Sequence, residues 1–280
     1  MDKKIAFALG GGGGRGAAHI GVLAAFERLG LQPDLITGTS IGGMLGALYA
    51  AGLDASGLQE FFRQLQVDRL YALPGNSFSL ANNNKLEKLL EQTIGRLHFA
   101  DLEIPLAVTA TDIRRHKLVV LDDGDLISAV LATTALPIVL PPVERNGLVL
   151  IDGGLLNNVP FDVAYARGAT HVLAVDLTNA APYGATGEAA PPPPGRFARI
   201  LKVPQLFGTW QVLNAVMDII TEQSLQTRLA LTQPDVLIQP FVDTIGVLDF
   251  HRLEEGVAAG ETAVQEIEAQ LQTLLQGEPA

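Results

Sequence analysis

The amino-acid sequence predicts an α/β fold whose working residues sit at strand ends, and three stretches predict it. Residues 5–30 read as strand, glycine loop and helix; residues 35–51 read as strand, tight turn and helix; residues 148–160 read as strand, aspartate and a turn into a helix. Apolar strands alternating with helices imply a mostly parallel sheet. In such open sheets the functional groups gather beyond the carboxyl ends of the strands.

The first unit runs from the strand stretch Lys3 to Leu9, apolar from Ile5, into Gly10–Gly14, Arg15 and Gly16, and then into a helix whose apolar stripe is Ala17, Ile20, Val22, Leu23 and Phe26. Gly30 stops that helix. A loop with almost no side chains, at a helix amino terminus, presents backbone N–H groups to negative charge. Two uses compete for it. Gly11, Gly13 and Gly16 fit the dinucleotide fingerprint G-x-G-x-x-G, and Asp34 lies about twenty residues on, where a ribose-binding acid belongs. The alternative is an oxyanion hole formed by Gly11, Gly12, Gly13, Gly14, Arg15 and Gly16. The second strand favours the oxyanion hole, because Asp34 precedes Leu35-Ile36-Thr37 and does not close that strand.

What closes it is G-T-S-I-G at 38–42, centred on Ser40. A hydroxyl raised on a sharp strand-to-helix turn needs small neighbours, and Gly38 and Gly42 supply them. The nineteen residues 35–53 carry no charge, close to a bilayer-spanning length. Two threonines, a serine and five glycines make them a poor span and a good elbow with a core helix.

From Ser56 to Leu97 the pattern is helical with breaks, and Tyr71–Leu80 could line an apolar groove, although ordinary packing against the core is the favoured reading. Strands follow at Pro105–Ala110 and Lys117–Leu121. Asp112, Asp122, Asp123 and Asp125 lack the spacing of a calcium loop, so a solvated turn with a helix N-cap is expected and no metal is implied. Leu148–Ile151 is a strand, and Asp152, Gly153 and Gly154 follow at its end. Thr170–Leu177 makes another. Residues 179–195 are rich in Pro, Ala and Gly and are expected to form a mobile, partly polyproline-like loop. Helix is expected over 197–231, a late strand at 236–240, and one amphipathic helix from Leu253 to Leu275. The late strand is expected to return to the same sheet, which makes 5–275 one domain with a motif-bearing core at 5–178.

Composition narrows the function classes. A net charge of −11 argues against nucleic acid as a partner and against attraction to anionic lipid by the overall field. The absence of cysteine excludes disulfides, thiol catalysis and thiolate metal sites. Met-Asp-Lys-Lys leads straight into the first strand without a signal core, so a cytoplasmic location is the expectation.

Ser40 and Asp152 invite a triad, but the histidine is missing. Only His171 and His251 follow Asp152 in the order of an α/β-hydrolase; one begins a strand and the other lies in a polar segment. At this point the residues resemble a known family. G-G-G-G-R-G at 11–16, G-T-S-I-G at 38–42 and D-G-G at 152–154 look like the patatin-like phospholipases, supported by A-T-D at 110–112, A-L-P at 135–137, P-P-V at 141–143 and N-N-V-P at 157–160. The likeness covers most of residues 5–180, and the tail from Val236 to Gly260 is similar to bacterial members. It departs at Thr133, where a serine is common.

The resemblance implies a three-layer α/β/α fold with a mostly parallel central sheet and a Ser–Asp dyad of Ser40 and Asp152 that works without cofactor. It implies hydrolysis of fatty-acyl esters of lipids or phospholipids, with transient contact at a membrane surface and a peripheral place at the inner membrane face. Two other readings remain: a dinucleotide-dependent oxidoreductase using the glycine loop, and a catalytically quiet regulatory protein on the same fold.

Overall fold

The computed structural model of the chain describes residues 3–65, 83–137, 139–178 and 204–276. The stretch Tyr71–Leu80, expected as core packing with a groove as the alternative, and the Pro/Ala/Gly-rich stretch 179–195 lie outside the described residues, as does the beginning of the helix expected from 197.

Eight strands form one sheet: β1 (Ile5–Leu9), β2 (Leu35–Thr39), β3 (Leu106–Asp112), β4 (Lys117–Leu121), β5 (Val143–Arg145), β6 (Leu148–Asp152), β7 (His171–Val175) and β8 (Val236–Ile238). Their order is β5-β6-β3-β2-β1-β7-β8, with β4 added to β3. The pairings β1–β2, β1–β7, β2–β3 and β7–β8 are parallel, whereas β3–β4, β3–β6 and β5–β6 are antiparallel. The sheet is thus parallel through its middle and antiparallel on one side. The late strand does join it, through β8.

Strand periodicity sorts the core into two sides. Ile5, Phe7 and Leu9 of β1 face a large cluster with α1 (Ala17–Arg28), α2 (Ile41–Ala50), α3 (Ala55–Gln64), α4 (Asn84–Ile94), α5 (Leu126–Thr133) and α8 (Leu253–Glu266). Ala6 and Ala8 face a thinner cluster with α6 (Phe161–Ala166) and Leu225 of α7 (Pro204–Leu231). Helices therefore cover both faces of the sheet. On the thicker side the rings of Phe7 and Phe26 lie 4.7 Å apart, both fully buried; burying each such side chain contributes about 1.5–3 kcal/mol.

Three local expectations change. Asp112 is the last residue of β3, almost fully buried and paired with Arg115, and not part of an open charged turn. The terminal helix breaks at Ile267 into α8 and α9 (Glu268–Gln276). β5 is a three-residue strand paired to β6 across the turn at Asn146 and Gly147, both at positive φ; three residues are too few for a period to show. Asp125 does cap a helix, accepting from the Ser128 N–H at 2.6 Å.

α1 and α8 pack with almost no side chain between them. A Cβ on Gly260 would stand 2.0 Å from the Ala18 carbonyl oxygen, and one on Gly21 would stand 2.0 Å from that of Val257. The stretch leading into α8 then runs beneath the glycine turn, where the Val247 carbonyl accepts the Gly14 N–H at 2.7 Å.

Candidate active site

The site begins with how β3 uses its two edges. Residues Val108 to Asp112 pair with β4; Leu106 to Thr109 also pair with β2, and Ala110 to Asp112 also pair with β6. A residue has only two hydrogen-bonding edges, so β2 and β6 must share the edge that β4 leaves free. They run along it in opposite senses and meet head to head, Thr39 opposite Thr109 and Asp152 opposite Ala110. Two residues 112 positions apart are thereby brought together. The Ser40 hydroxyl donates to Asp152 Oδ2 at 2.6 Å.

Ser40 stands on a turn with φ 54° and ψ −126°. Positive φ is uncommon for a residue with a Cβ and costs on the order of 1–3 kcal/mol, so the surroundings must hold it. They do so in two ways. A Cβ on Gly42 would lie 2.3 Å from the Leu9 carbonyl oxygen, and one on Gly38 would lie 2.6 Å from Gly43 Cα, so α2 can begin only because both positions are bare. The Ser40 N–H donates to the buried Thr133 hydroxyl at 2.8 Å. Thr133, which the sequence shows only as a departure from a family pattern, is the residue that holds the turn.

Asp152 is buried, and its own N–H donates to the Ala135 carbonyl at 3.0 Å. Burial pushes its carboxyl up from the ordinary range to about 6; the hydrogen bonds from Ser40 and from the Gly154 N–H at 2.8 Å pull partly back. Gly153 lies so close to Thr109 that a Cβ would come within 2.3 Å of the threonine hydroxyl. Below the pair, the Thr39 and Thr109 hydroxyls lie 2.6 Å apart, and Thr39 donates to the Asn157 carbonyl at 2.9 Å.

The glycine loop is narrower as a donor site than the six residues 11–16 suggest. The Gly11 N–H goes to the Asn158 carbonyl, the Gly14 N–H to Val247 and the Arg15 N–H to Gly12. Gly16 serves close packing, since a Cβ there would lie 2.2 Å from Ile41. Among the described residues, the N–H groups of Gly12 and Gly13 are left without a partner, and both glycines line a cleft together with Ser40 and Asp152. Gly13 is at φ +57°, and a Cβ on it would lie 2.2 Å from the Val247 carbonyl oxygen. Arg15 points elsewhere: its side chain is buried and Nε donates to the Ile245 carbonyl at 2.9 Å.

A second cleft also reaches Ser40, lined mostly by apolar side chains, among them Met44, Leu86, Leu140, Leu248 and Phe250, with Thr134 as a polar member. Ser40 and Gly13 belong to both clefts.

Other candidate groups lie outside this constellation. Asp34 accepts from the Ile5 N–H at 2.7 Å, at the amino-terminal end of the strands and so at the opposite end of the sheet from the glycine loop. His19 is fully buried and hydrogen-bonded to the Gly10 carbonyl at 2.7 Å; burial lowers its pKa to about 4, so it is a neutral donor that holds the start of the loop. His171 bonds Thr170, and His251 is exposed. Among the described residues no group of three His, Cys, Asp or Glu could hold a metal ion. Asn158 is a residue whose role sequence reasoning missed, although the motif N-N-V-P marks it: its carbonyl takes the Gly11 N–H and its side chain stands over Gly11 and Gly154.

Residues 7–165 match the family model of the patatin-like phospholipases. The chain is 36% identical over 187 residues to patatin-like phospholipase domain-containing protein 6 of Mus musculus, covering 62% of this chain and 14% of that protein. It is 28% identical over 275 residues to the lysophospholipase NTE1 of Coccidioides immitis, covering 90% of this chain and 17% of the relative. The chain thus spans less than a quarter of the length of these relatives. The crystal structure of VipD from Legionella pneumophila superposes with a TM-score of 0.59 at 16% identity, covering 95% of this chain and 67% of that one, which is a likeness of fold.

Proposed function

This chain belongs to the patatin-like phospholipase family, and from that premise we propose that it is a serine acyl hydrolase acting on fatty-acyl esters of lipids, with Ser40 as nucleophile and Asp152 as base. The observation that carries the reading is the 2.6 Å hydrogen bond between the two, made where the serine turn is strained and the carboxylate is buried.

The chemistry follows from these groups. With a pKa of about 6, Asp152 is mostly ionised near neutral pH and yet more basic than a carboxylate in water. As Ser40 Oγ bonds to the ester carbonyl carbon, its proton passes to Asp152. The charge that develops on the carbonyl oxygen is met by the free N–H groups of Gly12 and Gly13. Collapse breaks the bond to the alcohol, which leaves with the proton from Asp152; water, deprotonated by the same carboxylate, then releases the fatty acid. The apolar cleft suits the acyl chain, and the names of both relatives speak for lipid substrates.

A fluorophosphonate probe should label Ser40, and p-nitrophenyl acyl esters should be hydrolysed. Failure of both would sink the reading and return the quiet regulatory protein. The dinucleotide alternative loses its support with Asp34 at the wrong end of the sheet; protection of the fold by NAD(H) against heat would revive it.

Contact with a membrane surface, from a cytoplasmic position at the inner membrane face, belongs to the same proposal. Val212, Val216, Ile219 and Ile220 of α7 are exposed large apolar residues spaced for one helical side. Among the described residues no helix is long and apolar enough to cross a membrane. Sedimentation with zwitterionic vesicles, weakened by V216S with I219S, would support surface contact; no sedimentation would remove it.

A further inference from the structure

Resting on the acyl-hydrolase reading, we propose that Asp218 selects the alcohol half of the ester by charge, so that esters with a neutral or cationic alcohol are preferred to those whose alcohol carries net negative charge. The two clefts at Ser40 differ in kind. One is mostly apolar and suits an acyl chain, and because both reach Ser40, the alcohol of the same ester is assigned to the other.

Among the described residues, that other cleft is lined by three charged ones, Asp152, Arg15 and Asp218. Arg15 is the cation that could welcome a phosphate, but its guanidinium is committed. Nε bonds the Ile245 carbonyl, Nη1 lies 3.5 Å from the Leu177 carbonyl and 4.0 Å from Asp218 Oδ1, and the side chain is only 9% exposed. Asp218, on α7, is 48% exposed on the cleft. Among the described residues, two carboxylates stand against one shielded guanidinium, so their balance on the alcohol side is negative and an anionic group entering it meets repulsion at short range. Replacing Asp218 by Asn removes one negative charge and also unpairs Arg15, so both changes push specificity the same way.

The experiment uses three esters with one acyl chain: a choline ester (cationic alcohol), a monoacylglycerol (neutral) and a monoacylglycerol phosphate (anionic). They are compared as kcat/KM ratios at about pH 8, well above the ordinary carboxylate range, because burial raises the Asp218 carboxyl and Arg15 draws it only partly back. Asp218→Asn should raise the anionic-to-neutral ratio about three- to tenfold, the discount reflecting a half-exposed carboxylate, and should lower the cationic-to-neutral ratio. Asp218→Glu should keep the parental ratios. Glu266→Gln, which removes an exposed acid that lines neither cleft, should leave them unchanged. Ratios unmoved by Asp218→Asn, or moved equally by Glu266→Gln, would overturn the proposal and assign any preference to the overall charge. Should Asp218→Asn fail to fold, Asp218→Ser carries the same expectation. If the parent protein hydrolyses none of the three, the acyl-hydrolase reading itself falls, which is a different result.

Discussion

β1 and β2 lie side by side, each ends in a tight turn, and each turn opens a helix, yet the two turns are built on opposite economies of side chain. After β1 the chain strips itself bare, and among the described residues the backbone N–H groups of Gly12 and Gly13 have no partner. After β2 it keeps one side chain, Ser40, at a backbone angle that residues with a Cβ avoid. The first turn offers hydrogen-bond donors and the second offers an oxygen to be deprotonated. In the proposed mechanism the same strand–turn–helix unit thus serves either half of an acyl transfer, depending on whether a Cβ is withheld or forced into place.

Removing the oxygen breaks the comparison at its strongest point. Ser40→Ala, and separately Asp152→Asn, should lower kcat for a p-nitrophenyl acyl ester by at least about a thousandfold while circular dichroism stays parental. Filling the bare turn comes next. Gly13→Ala puts a Cβ against the Val247 carbonyl at a positive φ, and should cost roughly a hundredfold or more in kcat together with several degrees of melting temperature. Loss of turnover with an unchanged fluorophosphonate labelling pattern would show that the donors, and not the nucleophile, were lost.

The pH profile sharpens the contrast, because one turn's partner titrates and the other turn does not. In the proposed mechanism Asp152 accepts the serine proton only when ionised, so kcat/KM should fall about tenfold for each pH unit below about 6 and level off above it. A flat profile between pH 5 and pH 7 would remove the carboxylate from the mechanism. The Ser40 turn can also be loosened without touching the oxygen: Thr133→Val deletes the acceptor of the Ser40 N–H and should cost about five- to tenfold in kcat, with Thr133→Ser restoring it. The smallest effect is on stability. A carboxyl raised by burial favours the fold while protonated, so its contribution is fully present below about pH 4 and is lost as pH rises through about 6. Asp152→Asn, uncharged throughout, should therefore melt higher than the parent at pH 8, by up to about 3 kcal/mol of unfolding free energy, and equally near pH 4.

Much of this was readable in the residues. Ser40 between two glycines, the bare loop after β1 and the aspartate closing β6 are local patterns, and local patterns survive in one dimension. The running sense of β6 is not local. Nothing in Leu148–Asp152 says that it lies antiparallel to β3, and the head-to-head meeting with β2 depends on register along a shared edge. Thr133 and Asn158 escaped for a related reason: each acts through a hydrogen bond to a residue more than ninety positions away. The narrowing of the donors to Gly12 and Gly13 needed knowledge of which carbonyls the neighbouring N–H groups had already found.

One feature of the thicker helical layer reaches further than packing. The floor under the donor turn is supplied by Ile245, Val247 and Asp249, and the helix that follows is locked to α1 at van der Waals distance through its glycines. The span shared with the family model stops at residue 165, well short of that floor. A fragment trimmed to the recognisable motifs would thus retain Ser40, Asp152 and every loop glycine, yet the loop would have nothing to rest on. In this molecule the least motif-like third of the chain is the brace that lets the most motif-like third keep its shape.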